Sequence, residues 1–344
     1  MHPSGTRRRL LALKSPRYGL TDGDVLPYRI DQLRSHGFDL LWTDAQASGL
    51  MGVLARWSER RTPPWSQAWL TRKERRSASA TLAMFESEGH ALALWRRLRG
   101  RRSPPLYIVG CWLADLARRG GLRATAYRWL YRAVDGVIVF SSNQRTTLID
   151  LLDLAPDRVH VVPFGIDLDE VAAIPTCLGG RVVAAGRDLG RDWPTLVEAV
   201  QGTDWGLDLI TRPHQVAALD LPPNVDFHGA VGRAEYLGRL AAASVVVIPT
   251  FVREYPTGQT VLLEAMALGK ACVVTDTPAM REYVADGVTA LLVPPGDPEA
   301  LRRAVDRLLA EMRLSERLGR AASAWAAQHG SSERMWRQVA AILP

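Results

Sequence analysis

The chain has 344 residues, 47% of them hydrophobic, with 43 Lys+Arg against 36 Asp+Glu and a formal net charge of +7. That length exceeds one ordinary domain and suits two of roughly 170 residues, each able to bury a sizeable core, which excludes disorder on a large scale. The best apolar run, Ala241–Phe251, holds a proline and falls well short of the about 20 residues that a membrane-spanning helix needs.

Short strand-like runs and longer helical stretches alternate along the chain. Strands are predicted at Arg9–Leu13, Asp39–Trp42, Leu106–Val109, Gly136–Phe140 and Val159–Pro163. After a gap they resume at Arg181–Ala185, Leu207–Ile210, Val225–His228, Ser244–Pro249, Ala271–Thr275 and Ala290–Val293. Helical periods are read at Asp24–His36, Arg123–Ala133, Trp193–Val200, Ala234–Ala243 and Glu299–Leu318, with a closing helix around Arg334–Ile342. This alternation predicts α/β architecture with mostly parallel sheets. It breaks in FGIDLDEVAAIPTCLGG (164–180), where Pro and then Gly-Gly precede a fresh strand. The expected organisation is a domain over 1–165, a linker over 166–180, a second domain over 181–330 and a C-terminal segment 331–344 returning to the first. Doubly wound sheets of this kind bind ligands at the carboxyl ends of their strands, beside helix N-termini.

Charge is uneven. Residues 1–165 hold 26 Lys+Arg against 14 Asp+Glu, whereas the remainder holds 17 against 22. Either the first half meets something anionic, such as a membrane surface, or it carries a solvated basic face without a partner. Seven of the eleven Trp lie in that half, including Trp57, Trp65 and Trp69 among arginines. They read as membrane-interface residues, as sugar-stacking residues or as core. No nucleic-acid motif accompanies them, so no nucleic-acid partner is expected. The three cysteines, Cys111, Cys177 and Cys272, form no disulfide framework or zinc pattern. The opening residues lack a secretory cleavage pattern, and a cytoplasmic protein is expected. Asp22-Gly23-Asp24 reads as a turn with Asp24 as helix cap rather than as a metal site. The absence of GxGxxG, GxxxxGK[ST] and GxSxG argues against a dinucleotide oxidoreductase, a P-loop protein and an α/β-hydrolase.

The stretch TGQTVLLEAMALGKACVVT (257–275) carries the most chemistry. Val261, Leu262, Ala265 and Leu268 give the packed face of a helix. Thr257 is the expected N-cap, which places Gly258, Gln259 and Thr260 in a first turn whose backbone N–H groups have no partner within the helix. Such an end binds phosphate readily. Gly269 suits the stop, and a buried strand follows. Glu264 stands among apolar neighbours, where a carboxylate is costly unless it is paired. Either it points to solvent, or its two oxygens accept from the vicinal hydroxyls of a ribose.

Residues 181–310 resemble the nucleotide-sugar-binding half of the retaining family 4 glycosyltransferases, which have the GT-B fold of two Rossmann-like domains facing across a cleft. The resemblance rests on AAGRDLGRDWPTLVEAV (184–200), NVDFHGAVGRAEYLGRLAAASVVVIPT (224–250) and the run from Val247 through Leu301. In the first half DGVIVFSSNQRTTLIDLLDLAPDRVHVVPFGIDLD (135–169) carries it more loosely. The resemblance implies that Gly186, Arg187 and Arg191 face the donor diphosphate, Arg191 lying one residue nearer to Arg187 than the family's usual second base. It implies further that Glu264 holds the ribose, that Thr257–Thr260 face the sugar and phosphates, and that the backbone from His228 to Val231 reads the base. Fixed arginines would stabilise a departing diphosphate without a metal, and no cofactor is implied beyond the nucleotide sugar as substrate.

Two departures from the family pattern stand out. The family's first motif glutamate falls at Pro256, so Glu254 or Gln259 must take its place, or the chain binds a nucleotide sugar without turning it over. The histidine usual after the strand at Leu106–Val109 is replaced by Gly110-Cys111-Trp112, which leaves Asp115 and His90 as acceptor-side candidates. Tyr18 and Gly19, in the loop after the first strand, are expected to line the donor. The implied activity is metal-independent sugar transfer with retention to an unidentified acceptor: an anionic lipid-linked molecule, a polysaccharide or a natural product. A membrane-surface scaffold is the remaining alternative, and peripheral contact at the inner membrane face is expected of either.

Overall fold

The computed structural model describes residues 8–13, 27–43, 71–100, 103–176 and 179–344. Tyr18, Gly19, Asp22, Asp24, Trp57, Trp65, Trp69 and Cys177 lie outside them. The chain divides into two units: unit 1 runs up to Pro163 and takes in Met335–Pro344, and unit 2 is Phe164–Arg334.

Unit 1 contains β1 (Arg8–Leu13), β2 (Phe38–Thr43), α1 (Arg72–Ser77), β3 (Ala80–Ala83), α2 (Glu86–Arg99) and β4 (Leu106–Val109). There follow α3 (Leu113–Arg118), α4 (Gly121–Tyr131), β5 (Gly136–Val139), α5 (Ser142–Leu152) and β6 (Val159–Val161). The strands form one parallel sheet in the order β2-β1-β3-β4-β5-β6. Both faces are covered, so the strands read as continuous apolar runs rather than alternating ones. Leu11, Ile108 and Val139 are buried with Leu113 and Leu148 from the helices.

Unit 2 contains α6 (Leu168–Ala172), β7 (Val182–Ala185), α7 (Trp193–Val200), β8 (Leu207–Ile210), α8 (Pro213–Val216), β9 (Val225–Phe227), α9 (Arg233–Ala242) and β10 (Val245–Ile248). It continues through α10 (Gln259–Ala267), β11 (Ala271–Thr275), β12 (Leu291–Val293), α11 (Pro298–Ala310) and α12 (Met312–His329). Its sheet runs β12-β11-β10-β7-β8-β9, again parallel. The last helix, α13 (Ser332–Ile342), passes from unit 2 into unit 1, where Trp336 Nε1 donates to the Tyr28 carbonyl and Arg8 donates to that of Leu343.

Eleven of the twelve strands fall where the apolar runs place them. The twelfth, β3, reads ATLA; its small residues give no strand signal, although all four are buried. The stretch read as one helix over Glu299–Leu318 is two, broken at Glu311, which leaves the helical region with φ −101° and ψ 75°. Of the period read at Asp24–His36, the described part is a 3-10 turn over Pro27–His36 whose Tyr28 and Arg29 take positive φ. The segment expected as a linker is partly ordered within unit 2: Asp167 caps α6 by accepting from Glu170 N, and Ile166 bridges Ser331.

Candidate functional site

In unit 2 the strand order reverses between β7 and β10. At such a reversal the loops leaving two neighbouring strands diverge and open a crevice at their carboxyl ends. The loops concerned are 186–192 and 249–258. They are stitched together: Asp192 N donates to Pro249 O (3.1 Å) and Phe251 N to Gly190 O (2.9 Å).

Asp188 organises this crevice. Its Oδ1 accepts from Thr257 Oγ1 (2.5 Å) and Gly190 N (2.9 Å), and its Oδ2 accepts from Arg191 Nε (3.0 Å). Burial alone would push this carboxyl up. Arg191, Thr257 and Gly190 together outweigh burial and hold it below its ordinary value. Gln215, from the short helix α8, donates Nε2 to the carbonyls of Arg187 (3.2 Å) and Asp188 (3.0 Å) and braces the loop from behind.

Arg191 is buried, and its Nη1 makes no hydrogen bond among the described residues. Two glycines make room for its guanidinium. A Cβ on Gly186 would collide with that group. One on Gly258 would lie 2.8 Å from Nη1 and 2.6 Å from Ile248 Cγ2, and Gly258 has φ +89°, which disfavours any other residue. Gly258, not Thr257, is therefore the residue at the N-cap of α10. The Thr257 hydroxyl serves Asp188 instead of the helix. What results is a buried cation with an unused donor beside the amino end of a nine-residue helix, an arrangement suited to an anion. Arg187 is exposed, Gln259 is buried and Thr260 half-buried on the first turn of α10.

Glu264 does not point to solvent. It is 1% exposed, and the protein itself satisfies it. Its Oε1 accepts from Arg233 Nη1 (2.5 Å) and its Oε2 from the Tyr236 hydroxyl (2.5 Å), both on α9. Arg233 in turn grips Glu170 of α6 bidentately, at 3.0 and 2.7 Å. Burial pushes the Glu264 carboxyl above its ordinary value against the pull of Arg233 and Tyr236. Glu264 thus pins three helices as well as standing at the position expected to hold a ribose.

The loop from His228 to Val231 follows β9. His228 N donates to Leu209 O (3.0 Å), and its ring Nε2 lies 3.3 Å from Asp208 and 3.0 Å from Arg239 Nη1. The side chain belongs to a charged cluster around Asp208 with Arg181 and Arg239. Val231 is half-buried ahead of α9. Pro256 is buried with its carbonyl accepting from Gln259 N (3.2 Å), and Glu254 is half-buried in the stretch leading to it. Sequence reasoning missed Asp188, Gln215, Arg233 and Tyr236. The pairing of Asp188 with Arg191, three residues apart in a loop, was the one available signal.

In unit 1 the candidate His90 is half-buried against aromatic neighbours. It stacks on Tyr127 (5.1 Å between centroids) and meets the edge of Tyr131, and burial lowers its pKa to about 4. Asp115 is half-buried in the first turn of α3. The polar residue at the carboxyl end of β3 is instead Glu86. Its Oε1 accepts from the Trp112 and Leu113 amides and so caps α3. Its Oε2 is buried without a hydrogen bond among the described residues, as are His90 Nε2 and the Tyr131 hydroxyl. Burial raises the Glu86 pKa to about 8 against those amides, with Glu88 adding slightly.

These shifts fix a pH dependence. Glu86 holds its proton more tightly folded than unfolded, so its contribution to stability is full below about 4.5 and is lost as pH rises towards about 8. His90 is kept neutral, so its contribution is full above 6.5 and is lost as pH falls towards about 4. The two slopes oppose each other between 4.5 and 6.5 and leave a decline from 6.5 to 8. Melting temperature should therefore fall over that upper interval in the wild type and stay flat in Glu86→Gln, which keeps an acceptor for both amides. An unchanged decline in the variant would remove Glu86 from this account.

Residues 181–311 match the family model described as Glycosyl transferases group 1, and residues 3–170 match Glycosyltransferase Family 4. The chain belongs to this glycosyltransferase family. It is 32% identical over 228 residues to the D-inositol 3-phosphate glycosyltransferase of Frankia alni, an alignment covering 57% of this chain and 55% of that protein. The chain thus spans about half the length of the curated relatives it matches. Among solved structures, sucrose-phosphate synthase from Thermosynechococcus elongatus superposes with a TM-score of 0.77 at 19% identity, covering 97% of each chain. Anabaena Alr3699/HepE in complex with UDP-glucose gives 0.70 at 17% identity, covering 97% of this chain and 98% of that one. At these identities the likeness establishes the fold, GT-B, in this glycosyltransferase chain.

Proposed function

We propose that the protein is a retaining glycosyltransferase that takes a sugar from a nucleotide-sugar donor without a metal and passes it to an acceptor bound through unit 1. The buried Arg191 with its unused Nη1, held by Asp188 beside the amino end of α10, carries this reading. A diphosphate gains negative charge as the glycosidic bond to it breaks, and fixed cations and helix amides stabilise that charge without reorganising. The exposed Arg187 adds a second cation on the same loop. With the diphosphate leaving on the face from which the acceptor arrives, its oxygen takes the acceptor proton. That route needs no dedicated protein base, in keeping with Gly110-Cys111-Trp112 in place of a histidine. The basic first half favours an anionic acceptor.

A thermal-shift screen of UDP-, GDP-, ADP- and dTDP-sugars tests the donor. UDP-sugars come first because a solved structure of the same fold holds UDP-glucose. One nucleotide at 100 times its dissociation constant should add about 2.7 kcal/mol. No response from any of them would overturn the reading. Release of nucleoside diphosphate from the stabilising donor then separates an enzyme from a protein that binds without turnover, the reading that Pro256 favours.

A further inference from the structure

Helix α4 is apolar on two opposite faces. At about 100° per residue, Leu122 and Trp129 point the same way, and Tyr131, nine positions from Leu122, points the other. Tyr131 is fully buried, with Ala124, Tyr127 and Leu130 partly buried beside it. Leu122 is 91% exposed and Trp129 42% exposed, with Thr125 and Ala126 also exposed between them. The inward face is accounted for by the core, whereas the outward one stays exposed.

Arginines edge the outward ridge on both sides: Arg123 on one flank, Arg128 and Arg132 on the other. Arg119 precedes the helix, and Leu98 of α2, 72% exposed, lies next to Arg97, whose guanidinium stacks over Trp129 at 5.0 Å. From Leu116 to Val134 the chain has five Arg and neither Asp nor Glu. Among the described residues Asp153 brings an acidic group to this face, 3.5 Å from Arg132; Arg128 donates to the Leu151 carbonyl.

We propose that the outward face of α4 rests on an anionic lipid bilayer, with Leu122, Trp129 and Leu98 entering the headgroup–acyl boundary and the flanking arginines meeting lipid phosphates. An apolar ridge between two cationic flanks is the pattern of an interfacial helix: long basic side chains lie along the apolar surface and bring their charges up to the headgroups. Three apolar side chains fall well short of the roughly 800 Å² per partner of a stable protein interface, whereas a charged lipid surface adds attraction for every arginine near it. The proposal stands independently of sugar transfer.

The test is flotation of the full-length protein with vesicles of phosphatidylcholine alone or with 30% phosphatidylglycerol. Wild type should float with the anionic vesicles, remain below with the neutral ones, and lose most of its binding at high salt. Leu122→Glu with Trp129→Glu should cut the bound fraction at least tenfold, and Arg119→Glu with Arg123→Glu should do the same. All four positions are exposed, so melting temperatures should not move, and that control separates lost binding from lost folding. Wild type that ignores anionic vesicles, or either double variant binding as wild type does, overturns the proposal.

Discussion

Arg191→Ala should reduce the stabilisation that a nucleotide sugar confers, while the apo protein still folds. Charge-assisted hydrogen bonds contribute about 1.5–3 kcal/mol each. Losing those from one guanidinium to a diphosphate weakens binding by about tenfold to more than a hundredfold, which calorimetric titration resolves. Arg191→Lys should recover little. A guanidinium can give Nε to Asp188 and keep Nη1 for the ligand, but an ammonium on a flexible stem has no such fork. Asp188→Asn makes the complementary test. It keeps Oδ1 for Thr257 and Gly190 but removes the anionic oxygen that orients Arg191. Binding should weaken by about tenfold, since a neutral partner halves the strength of that hydrogen bond and lets the guanidinium turn. Because the Asp188 carboxyl is held low, its contribution is full above its ordinary value of 3.8 and is lost only on acidification below that. The pH dependence of donor binding near neutrality should therefore be unchanged in the variant. If Asp188→Asn binds as tightly as wild type, Arg191 does not depend on it.

The same crevice shows how far the sequence reaches. Buried parallel strands announce themselves as apolar runs, so the sheet of unit 2 and its reversal between β7 and β10 were legible. The amino end of α10 was legible to within one residue, from Thr257 and the packed positions after it. Which hydroxyl does what was not: Thr257 has the chemistry of a cap, but a half-buried carboxylate 69 positions away claims it. Asp188 looked like an ordinary loop residue because Tyr255 and Thr257 come to it only in the fold. In unit 1, β3 was missed because two of its four residues are alanine, which carries little strand signal, and with it went the β1/β3 reversal where Glu86 sits. His90 was weighed as a site residue on chemistry alone. Its position one helical turn after Glu86, on the face that meets Tyr127 and Tyr131, packs it against their rings.

Glu264→Ala should be the most destabilising of the substitutions in unit 2. It strands the Tyr236 hydroxyl without its acceptor and leaves Arg233 with Glu170 alone, at a cost of about 2–4 kcal/mol by chemical denaturation. Glu264→Gln should cost less, since an amide carbonyl can still accept from one of them. A second role in ribose binding does not compete with this one. A carboxylate offers about four lone-pair sites, and α9 uses two, so two remain for vicinal hydroxyls. The cover over them is Arg233, itself half-exposed and tethered to Glu170. The two roles separate by measurement. If Glu264 only pins helices, Glu264→Gln will bind a nucleoside diphosphate and its 2′-deoxy counterpart in the same ratio as wild type. If it also holds the ribose, the wild type will prefer the 2′-hydroxyl and the variant will lose most of that preference. A double-mutant cycle with Arg233→Ala then reads the coupling across the pair, expected within about 0.5–3 kcal/mol. Without such coupling, Arg233 would be held by Glu170 alone and would not be the cover of this site.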